Sequence, residues 1–288
     1  MVSSLPPKTN SSNSSSDAVV HTIPFSDTAA IRVYSDTKPH CGKISDLQKG
    51  LVLVCGGAET VGEGAGFGFP VLVYSDETYF SGTSKVRVSR HDDCWLVVKE
   101  FTMDRIPRNR FRNIKLENRK ARTLIGHFSR LYQERPQFRF LTLKEVTKKM
   151  QIGTSFAIVK PVGKVLVTYE IRKPIIQVKA NFHDVEKGKL RKIFILNEQG
   201  STFFYRYFDS QGTELTDKRI GAWDKVIGEW GSLSASENGF GFRLWKKEDG
   251  ILRRGREYVK DSLDWVGLDY EVNPSKTKFN YGIEILGA

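Results

Sequence analysis

Short runs of alternating apolar and polar residues recur along most of the chain, and they predict β-strands. Lys85 to Ser89 (KVRVS) alternates strictly, which is the pattern of a strand with one face in the core. Cys94 to Phe101 (CWLVVKEF) is more continuously apolar and predicts a more deeply buried strand. Turn-forming residues separate the candidates, as in Pro161-Val-Gly163 and Glu198-Gln-Gly200. About fifteen strand candidates follow one another as hairpins, not as alternating strands and helices.

Helical spacing of apolar residues is found in one part of the chain. Leu116 to Tyr132 carries its large apolar side chains on one helical face, and Pro136 follows it. Leu141 to Met150 predicts a second, shorter helix, in which Thr142 and Glu145 have the spacing of a capping box. We therefore expect two helices to form a basic insertion at residues 105–151.

This pattern predicts a mainly β fold, namely a large antiparallel two-sheet sandwich with a helical insertion of two helices. Residues 1–20 are rich in Ser and Asn and predict a disordered tail, and residues 21–288 are expected to form a single large β-sandwich domain. Two small β domains joined by the helical segment are the alternative. The expected size resembles the supersandwich of galactose-mutarotase-like proteins, which is an analogy of architecture alone.

A short motif occurs twice, as EGAGFGFPVLVY at Glu63 to Tyr74 and as ENGFGFRLW at Glu237 to Trp245. In an extended strand the two Phe of Gly-Phe-Gly-Phe share one face and the two Gly share the other. Glycine in a strand often marks a bulge or a close approach to the backbone. We expect either an aromatic side chain of a second sheet or a flat ligand to approach there. Two core strands without a ligand are the simpler interpretation.

The first copy of the motif is not a dinucleotide-binding loop, although an apolar strand candidate precedes it. The third glycine of that loop is replaced by Phe67 or Phe69. Pro70 then begins a strand pattern, so no helix N-terminus is available to hold a pyrophosphate. No P-loop sequence occurs elsewhere in the chain, and no cofactor is predicted.

The chain carries 45 Lys and Arg against 33 Asp and Glu, a net charge of +12. Most of the excess lies between Lys99 and Lys149, which hold 15 basic and 5 acidic residues. Such a segment attracts polyanions, or it is simply a solvated face. The candidate anion-binding residues are Arg108, Arg110, Arg112, Arg119, Lys120 and Arg122.

The remaining composition excludes several classes of protein. Cys41, Cys55 and Cys94 are odd in number and lack CxxC spacing, so neither a disulfide framework nor a Cys-based zinc site is indicated. The five His form no HExxH or HxH pattern, and we expect no metal. No apolar run reaches the ~18 residues of a membrane span, and the N-terminus lacks the pattern of a secretory signal. We therefore expect a cytoplasmic protein without a transmembrane segment.

Residues suited to sugar chemistry are present, but the sequence does not place them together. Glycoside chemistry needs two carboxyl groups, and Glu63 and Glu237 each precede a Gly-Phe strand. His91 is a candidate acid or base, although a surface turn at His91-Asp-Asp is the commoner interpretation. The candidate ligand-binding aromatics are Trp223, Trp230, Trp245 and Trp265, for which core packing is the alternative.

Three functional hypotheses follow. The first is a carbohydrate-interacting β-sandwich protein that binds a saccharide or acts on one. The second is a polyanion- or nucleic-acid-binding protein that uses the basic segment 105–149. The third is a structural or interaction module without catalytic activity. Whether the protein is an enzyme is left open.

Overall fold

The computed structural model describes residues 19–34, 47–60, 65–110, 153–200, 203–221, 223–235, 239–259 and 263–287. Within these residues the chain forms two antiparallel sheets and one short 3-10 helix, Asp217–Ile220, and no α-helix. The predicted mainly β, sandwich-like architecture is therefore confirmed. In this part of the chain no helix is long and apolar enough to cross a membrane.

The smaller sheet has four strands in the order β1-β2-β3-β4. Its strands are β1 (Val19–Pro24), β2 (Ala29–Tyr34), β3 (Val52–Cys55) and β4 (Ala58–Glu59). An isolated bridge between Leu51 and Phe67 connects its last hairpin to the larger sheet. The side chains of Ile31 and Val33 face inward and are fully buried, as their alternation with polar residues predicts.

The larger sheet has 15 strands. Its strands are β5 (Gly66–Tyr74), β6 (Thr78–His91), β7 (Cys94–Arg110), β8 (Gly153–Ile158), β9 (Lys164–Arg172), β10 (Ile175–Asn181), β11 (Leu190–Gly200), β12 (Arg206–Asp209), β13 (Glu214–Thr216), β14 (Asp224–Lys225), β15 (Trp230–Ser234), β16 (Gly241–Trp245), β17 (Gly250–Val259), β18 (Leu263–Val272) and β19 (Lys278–Leu286). Their order is β13-β12-β15-β16-β19-β10-β9-β7-β6-β5-β11-β18-β17-β14, and β8 pairs with β7.

This long sheet folds back on itself at β6. The first residues of β6 pair with β5, at Thr78 and Tyr79, whereas the rest of the strand pairs with β7. We call β5, β11, β18, β17 and β14 the β5 layer, and β7 to β10, β12, β13, β15, β16 and β19 the β7 layer. The rings of Phe67 in the β5 layer and Phe242 in the β7 layer meet edge to face, with centroids 5.1 Å apart. The two layers therefore pack face to face.

The core between the layers follows from strict alternation along the strands. In β9 (KVLVTYEIR) every second side chain, from Val165 to Ile171, is buried, while Lys164 and Leu166 face solvent. The strand β19 (KFNYGIEIL) repeats this alternation, because Phe279, Tyr281 and every second residue after them are buried. Full burial of each large apolar side chain contributes about 1.5–3 kcal/mol, so these rows drive the association of the layers.

The repeated Gly-Phe motif lies at the centre of this core. Gly66 and Gly68 have φ of 74° and 79°, and Gly68 forms a bulge opposite Asn197. A Cβ on Gly68 would lie 2.6 Å from the hydroxyl of Tyr169 in the other layer. The expected close approach of an aromatic side chain is thus confirmed at Gly68. Phe67 and Phe242, one from each copy of the motif, contact each other directly.

The predicted helical insertion at residues 105–151 is wrong in its first part. Residues Arg105 to Arg110 continue β7 and pair with β8, from Arg105 opposite Ile158 to Arg110 opposite Gly153. The ladder with β8 supplies hydrogen-bond partners to this arginine-rich stretch that local sequence does not reveal. Both predicted helices lie within residues 111–152, outside the described residues.

The predicted domain limits stay a prediction. Residues 1–18 of the expected tail lie outside the part of the chain that the structure describes, and β1 begins at Val19.

The turn predicted at Glu198-Gln-Gly200 is wrong. These residues are the end of β11, where Glu198 pairs with Gly267.

Candidate functional site

The predicted catalytic residues are not brought together by the described structure. Glu63 and Glu237 lie outside the described residues. His91 ends β6 opposite Cys94, is exposed, and its Nε2 lies 3.3 Å from the hydroxyl of Ser89. The catalytic roles of these three residues therefore stay predictions.

The four candidate tryptophans separate into two pairs on different layers. Trp230 and Trp245 are direct cross-strand partners on β15 and β16. Trp265 lies on β18 opposite Glu257 and Gly200, and Trp223 lies on the same layer. The ligand-binding role of the four tryptophans stays a prediction, and strand order, not closeness in sequence, decides which of them are neighbours.

Trp223 packs flat against the outer face of the β5 layer. It has φ of 62°, a left-handed conformation that is uncommon for a large residue. Its ring fills the space left by Gly255 and Gly267, where an added Cβ would lie 2.5 Å and 3.2 Å from ring atoms. This tryptophan covers the sheet and is not a free stacking surface.

Trp230 and Trp245 face outward from the β7 layer. Their strand neighbours Gly231, Leu233 and Leu244 are buried and face the core, so the two indoles lie on the opposite face. Phe208 of β12 lies on the same outer face, is 42% exposed, and has its ring centroid 5.8 Å from that of Trp230. We call Phe208, Trp230 and Trp245 the aromatic platform.

Charged and polar side chains surround the aromatic platform. The guanidinium of Arg243 lies 4.3 Å from the centroid of Trp230, in the range of a cation–π contact. The same guanidinium forms an ion pair of 3.1 Å with Glu284 of β19. Further along the outer face, Lys179 and Glu170 form a second ion pair of 2.5 Å. These groups offer hydrogen-bond donors and acceptors beside an apolar surface.

A buried hydrogen-bond network holds the hairpin that carries Phe208. The hydroxyl of Tyr207 donates to Asp209 at 3.0 Å, and Asp209 also accepts from the backbone N–H of Gln211 and Thr213. Burial, together with this bond to Asp209, raises the pKa of Tyr207 well above its ordinary value of 10.0. The β12–β13 hairpin is thus fixed from beneath the aromatic platform.

Two carboxylates that lie close together are found on the β5 layer, not at the platform. Glu198 and Asp269 both border Gly267, where an added Cβ would lie 3.1 Å from an atom of each. Asp269 accepts from the backbone N–H of Asn197 at 2.7 Å, and Glu198 accepts from that of Ala65 at 3.3 Å. Both carboxylates are buried and hold backbone groups, which is a role in the fold.

A buried amide links the two layers. The Oδ1 of Asn197 accepts from the N–H of Gly68 at 3.1 Å and from the hydroxyl of Tyr281 at 2.8 Å. Its Nδ2 donates to the carbonyl of Leu268 at 3.1 Å. Burial raises the pKa of the Tyr281 hydroxyl well above 10.0, so this group stays a proton donor.

The candidate anion-binding residues are only partly described. Arg108 and Arg110 lie in β7, and the other four lie outside the described residues. Those four are Arg112, Arg119, Lys120 and Arg122. A basic docking surface in this segment stays a prediction.

Sequence reasoning missed three residues of the outer face around the platform. Phe208 ends the aromatic run Phe203 to Phe208 (FFYRYF), whose sequence does not show which of its rings face outward. Gln177 and Gly282 lie on β10 and β19, far from the tryptophans in sequence. The alternation of IIQVKAN places Gln177 outward, but no local signal connects it with Trp245.

No family model matches the chain, and no curated protein matches its sequence.

Proposed function

We propose that this protein binds saccharides on the aromatic platform of the β7 layer. The observation that carries the proposal is the outward-facing cross-strand pair of Trp230 and Trp245, with the exposed ring of Phe208 beside it. Sugar rings stack their apolar C–H faces on aromatic rings, and their hydroxyls bind amides and charged groups. Aromatic side chains on an outer face are otherwise costly, because they keep apolar surface in water.

The platform is well suited to binding because it is fixed before a ligand arrives. Side chains directly opposite each other on neighbouring strands have Cβ atoms about 4.5–5.5 Å apart, so the two indoles start from adjacent positions on the same face. Arg243 stacks on Trp230 and also forms an ion pair with Glu284, and these contacts restrain the side chains of Arg243 and Trp230. A fixed surface loses little conformational entropy on binding.

Binding, not catalysis, is the function proposed for this surface. The carboxylates described on this outer face, Glu284 beside the platform and Glu170 three strands from Trp245, are each engaged in an ion pair. Glycosidic chemistry instead uses a pair of carboxyl groups on opposite sides of one bond. The polyanion hypothesis concerns the basic segment at residues 105–149 and rests on composition.

The test is calorimetric titration of the purified full-length chain with a panel of neutral and anionic oligosaccharides. We expect Trp230→Ala and Trp245→Ala each to weaken saccharide binding by roughly 30-fold or more, as for a central aromatic of an interface. Leu166→Ala is the matched control, because Leu166 is an exposed apolar residue on the outer face of the same layer. It should leave affinity unchanged.

Two results would contradict the proposal. One is the absence of binding to every saccharide in the panel by the wild-type protein. The other is binding that survives loss of both indoles. Binding to anionic ligands alone, weakened strongly by added salt, would favour the polyanion hypothesis.

A further inference from the structure

A single row of outward-facing positions runs from the aromatic platform across five strands. Trp230 is opposite Trp245, and the next pair of the ladder, Leu244 with Ile283, places Trp245 opposite Gly282. Gly282 is opposite Gln177, and Gln177 is opposite Glu170. The row therefore crosses β15, β16, β19, β10 and β9 in turn.

The position of the row directly beside Trp245 is a glycine. Gly282 has no side chain, so a neighbouring side chain can lie over its backbone. A Cβ on Gly282 would lie 3.2 Å from the amide nitrogen of Gln177 and 3.7 Å from the amide carbon and oxygen. The Gln177 amide therefore lies over Gly282, next to the position of Trp245.

The Gln177 amide is available to a ligand. The residue is exposed, and no hydrogen bond within the described ranges holds its side chain. An amide offers two donors and one acceptor group, which suits the hydroxyls of a sugar. Gln177 thus adds an uncharged polar contact to the row that begins at the aromatic platform.

The charges along the row cancel in pairs. Arg243 and Glu284 form an ion pair on one side, and Lys179 and Glu170 form another at the far end. Arg172, the next outward-facing residue of β9 after Glu170, is exposed and lies within the electrostatic influence of Asp93 and Glu170, so it too is close to carboxylates. An uncharged ligand is favoured over an anionic one, because an anion would have to compete with carboxylates already paired.

We propose that the ligand is a linear, uncharged oligosaccharide that lies across the strands, from the aromatic platform to the Gln177 amide that lies over Gly282. This inference rests on the saccharide-binding function proposed above. Neighbouring strands are 4.7–4.9 Å apart, so the distance from β15 to β19, over which the Gln177 amide lies, is about 10 Å. One sugar ring cannot reach from Trp230 to Gln177, and a chain of several units can.

The experiment measures affinity as a function of chain length. Cello-, xylo- and manno-oligosaccharides of increasing length, from monosaccharide to hexasaccharide, are titrated into the full-length wild-type protein. We expect affinity to rise at least tenfold between the monosaccharide and the shortest oligomer that reaches Gln177, and then to level off. Trp230→Ala measured in parallel reports whether binding uses the platform at all.

Two variants test the path of the chain. Gly282→Gln puts a side chain where the Gln177 amide now lies and displaces that amide, so it should abolish the gain with length while leaving binding of the shortest sugars on the platform. Gln177→Ala should remove a smaller part of the same gain. Gly188→Gln is the matched control, because Gly188 has no atom within 4 Å of its added Cβ and lies outside the row. Unchanged thermal unfolding of Gly282→Gln shows that the fold is intact.

Failure of this inference differs from failure of the proposed function. If affinity is independent of chain length, or if Gly282→Gln binds long oligomers as well as wild type does, the path across the strands is wrong. If Trp230→Ala still loses binding in that case, the saccharide-binding platform stands. If only acidic oligosaccharides bind, an uncharged ligand is wrong. If no saccharide binds wild-type protein, the proposed function fails and this inference fails with it.

Discussion

At the scale of single residues, the buried amide of Asn197 joins the two layers. It accepts from Gly68 in its own layer and from Tyr281 in the opposite one, and it donates to Leu268. It is fully buried, so water cannot replace these partners. The amide therefore fixes the bulge at Gly68 relative to β19.

We expect Asn197→Ala to lower the free energy of unfolding by roughly 3 kcal/mol or more. The substitution leaves buried donors at Gly68 and Tyr281 without an acceptor, and each orphaned group costs about 1–3 kcal/mol. Denaturant unfolding measures the change. Asn280→Ala, at an exposed position of β19, is the control and should stay within about 0.5 kcal/mol of wild type. Equal effects at both positions would contradict this role of Asn197.

At the scale of elements, β5 depends on a glycine bulge in its first half. Gly68 combines a positive φ of 79° with a direct contact to the ring of Tyr169. Its backbone N–H is bound by Asn197, so the bulge cannot relax without breaking that bond. The motif was visible in the sequence as two glycines in a strand, but the bulge arises from its neighbours in the other layer.

Gly68 and Gly212 provide a matched pair of substitutions. Both have φ of 79°, but an added Cβ at Gly212 meets no atom within 4 Å, whereas at Gly68 it meets the Tyr169 hydroxyl. We expect Gly212→Ala to cost about 1–2 kcal/mol from backbone strain alone. Gly68→Ala should cost at least about 2 kcal/mol more, because the overlap forces the layers apart. Similar losses at both sites, measured by thermal unfolding, would show that Tyr169 does not restrain the bulge.

At the scale of the whole molecule, buried tyrosines lie throughout the core. Burial raises the pKa of Tyr74 to about 12, and the nearby charge of Glu186 adds to this effect. Burial likewise raises the pKa of four others well above 10.0, namely Tyr169, Tyr207, Tyr270 and Tyr281. All five hydroxyls must keep their protons while the chain is folded.

Stability should therefore fall steeply in alkaline solution. The pKa of the Tyr74 hydroxyl is higher in the folded state than its ordinary value of 10.0, so the folded state holds this proton more tightly than the unfolded state does. The protonated hydroxyl therefore stabilises the fold. This stabilisation is complete below pH 10.0 and is lost as the pH rises toward 12. We expect unfolding and tyrosine ionisation to occur together in a spectroscopic titration. Tyr74→Phe should reduce the slope of stability against pH in this window by up to about 1.4 kcal/mol per pH unit. An unchanged slope would contradict the burial of that hydroxyl.

Part of the candidate site was predictable and part was not. The sequence singled out Trp230 and Trp245 as stacking residues, and the structure places them side by side on an outer face. Trp223 was a further candidate, and its ring lies on the glycines of the β5 layer. Trp223 and Trp230 are seven positions apart in sequence, but they belong to different layers, and only strand order reveals this.

The sequence by itself determined the class of this fold. Alternation with period two along β9, β10 and β19 is a local property, because each residue's face follows from its position in its own strand. Only the tertiary structure decided which strands are neighbours, and hence that Trp245 meets Gly282 and Gln177. Those contacts join positions up to 105 residues apart in the order β16-β19-β10. Pairing between such distant segments depends on the packing of the whole core, and no local pattern encodes it.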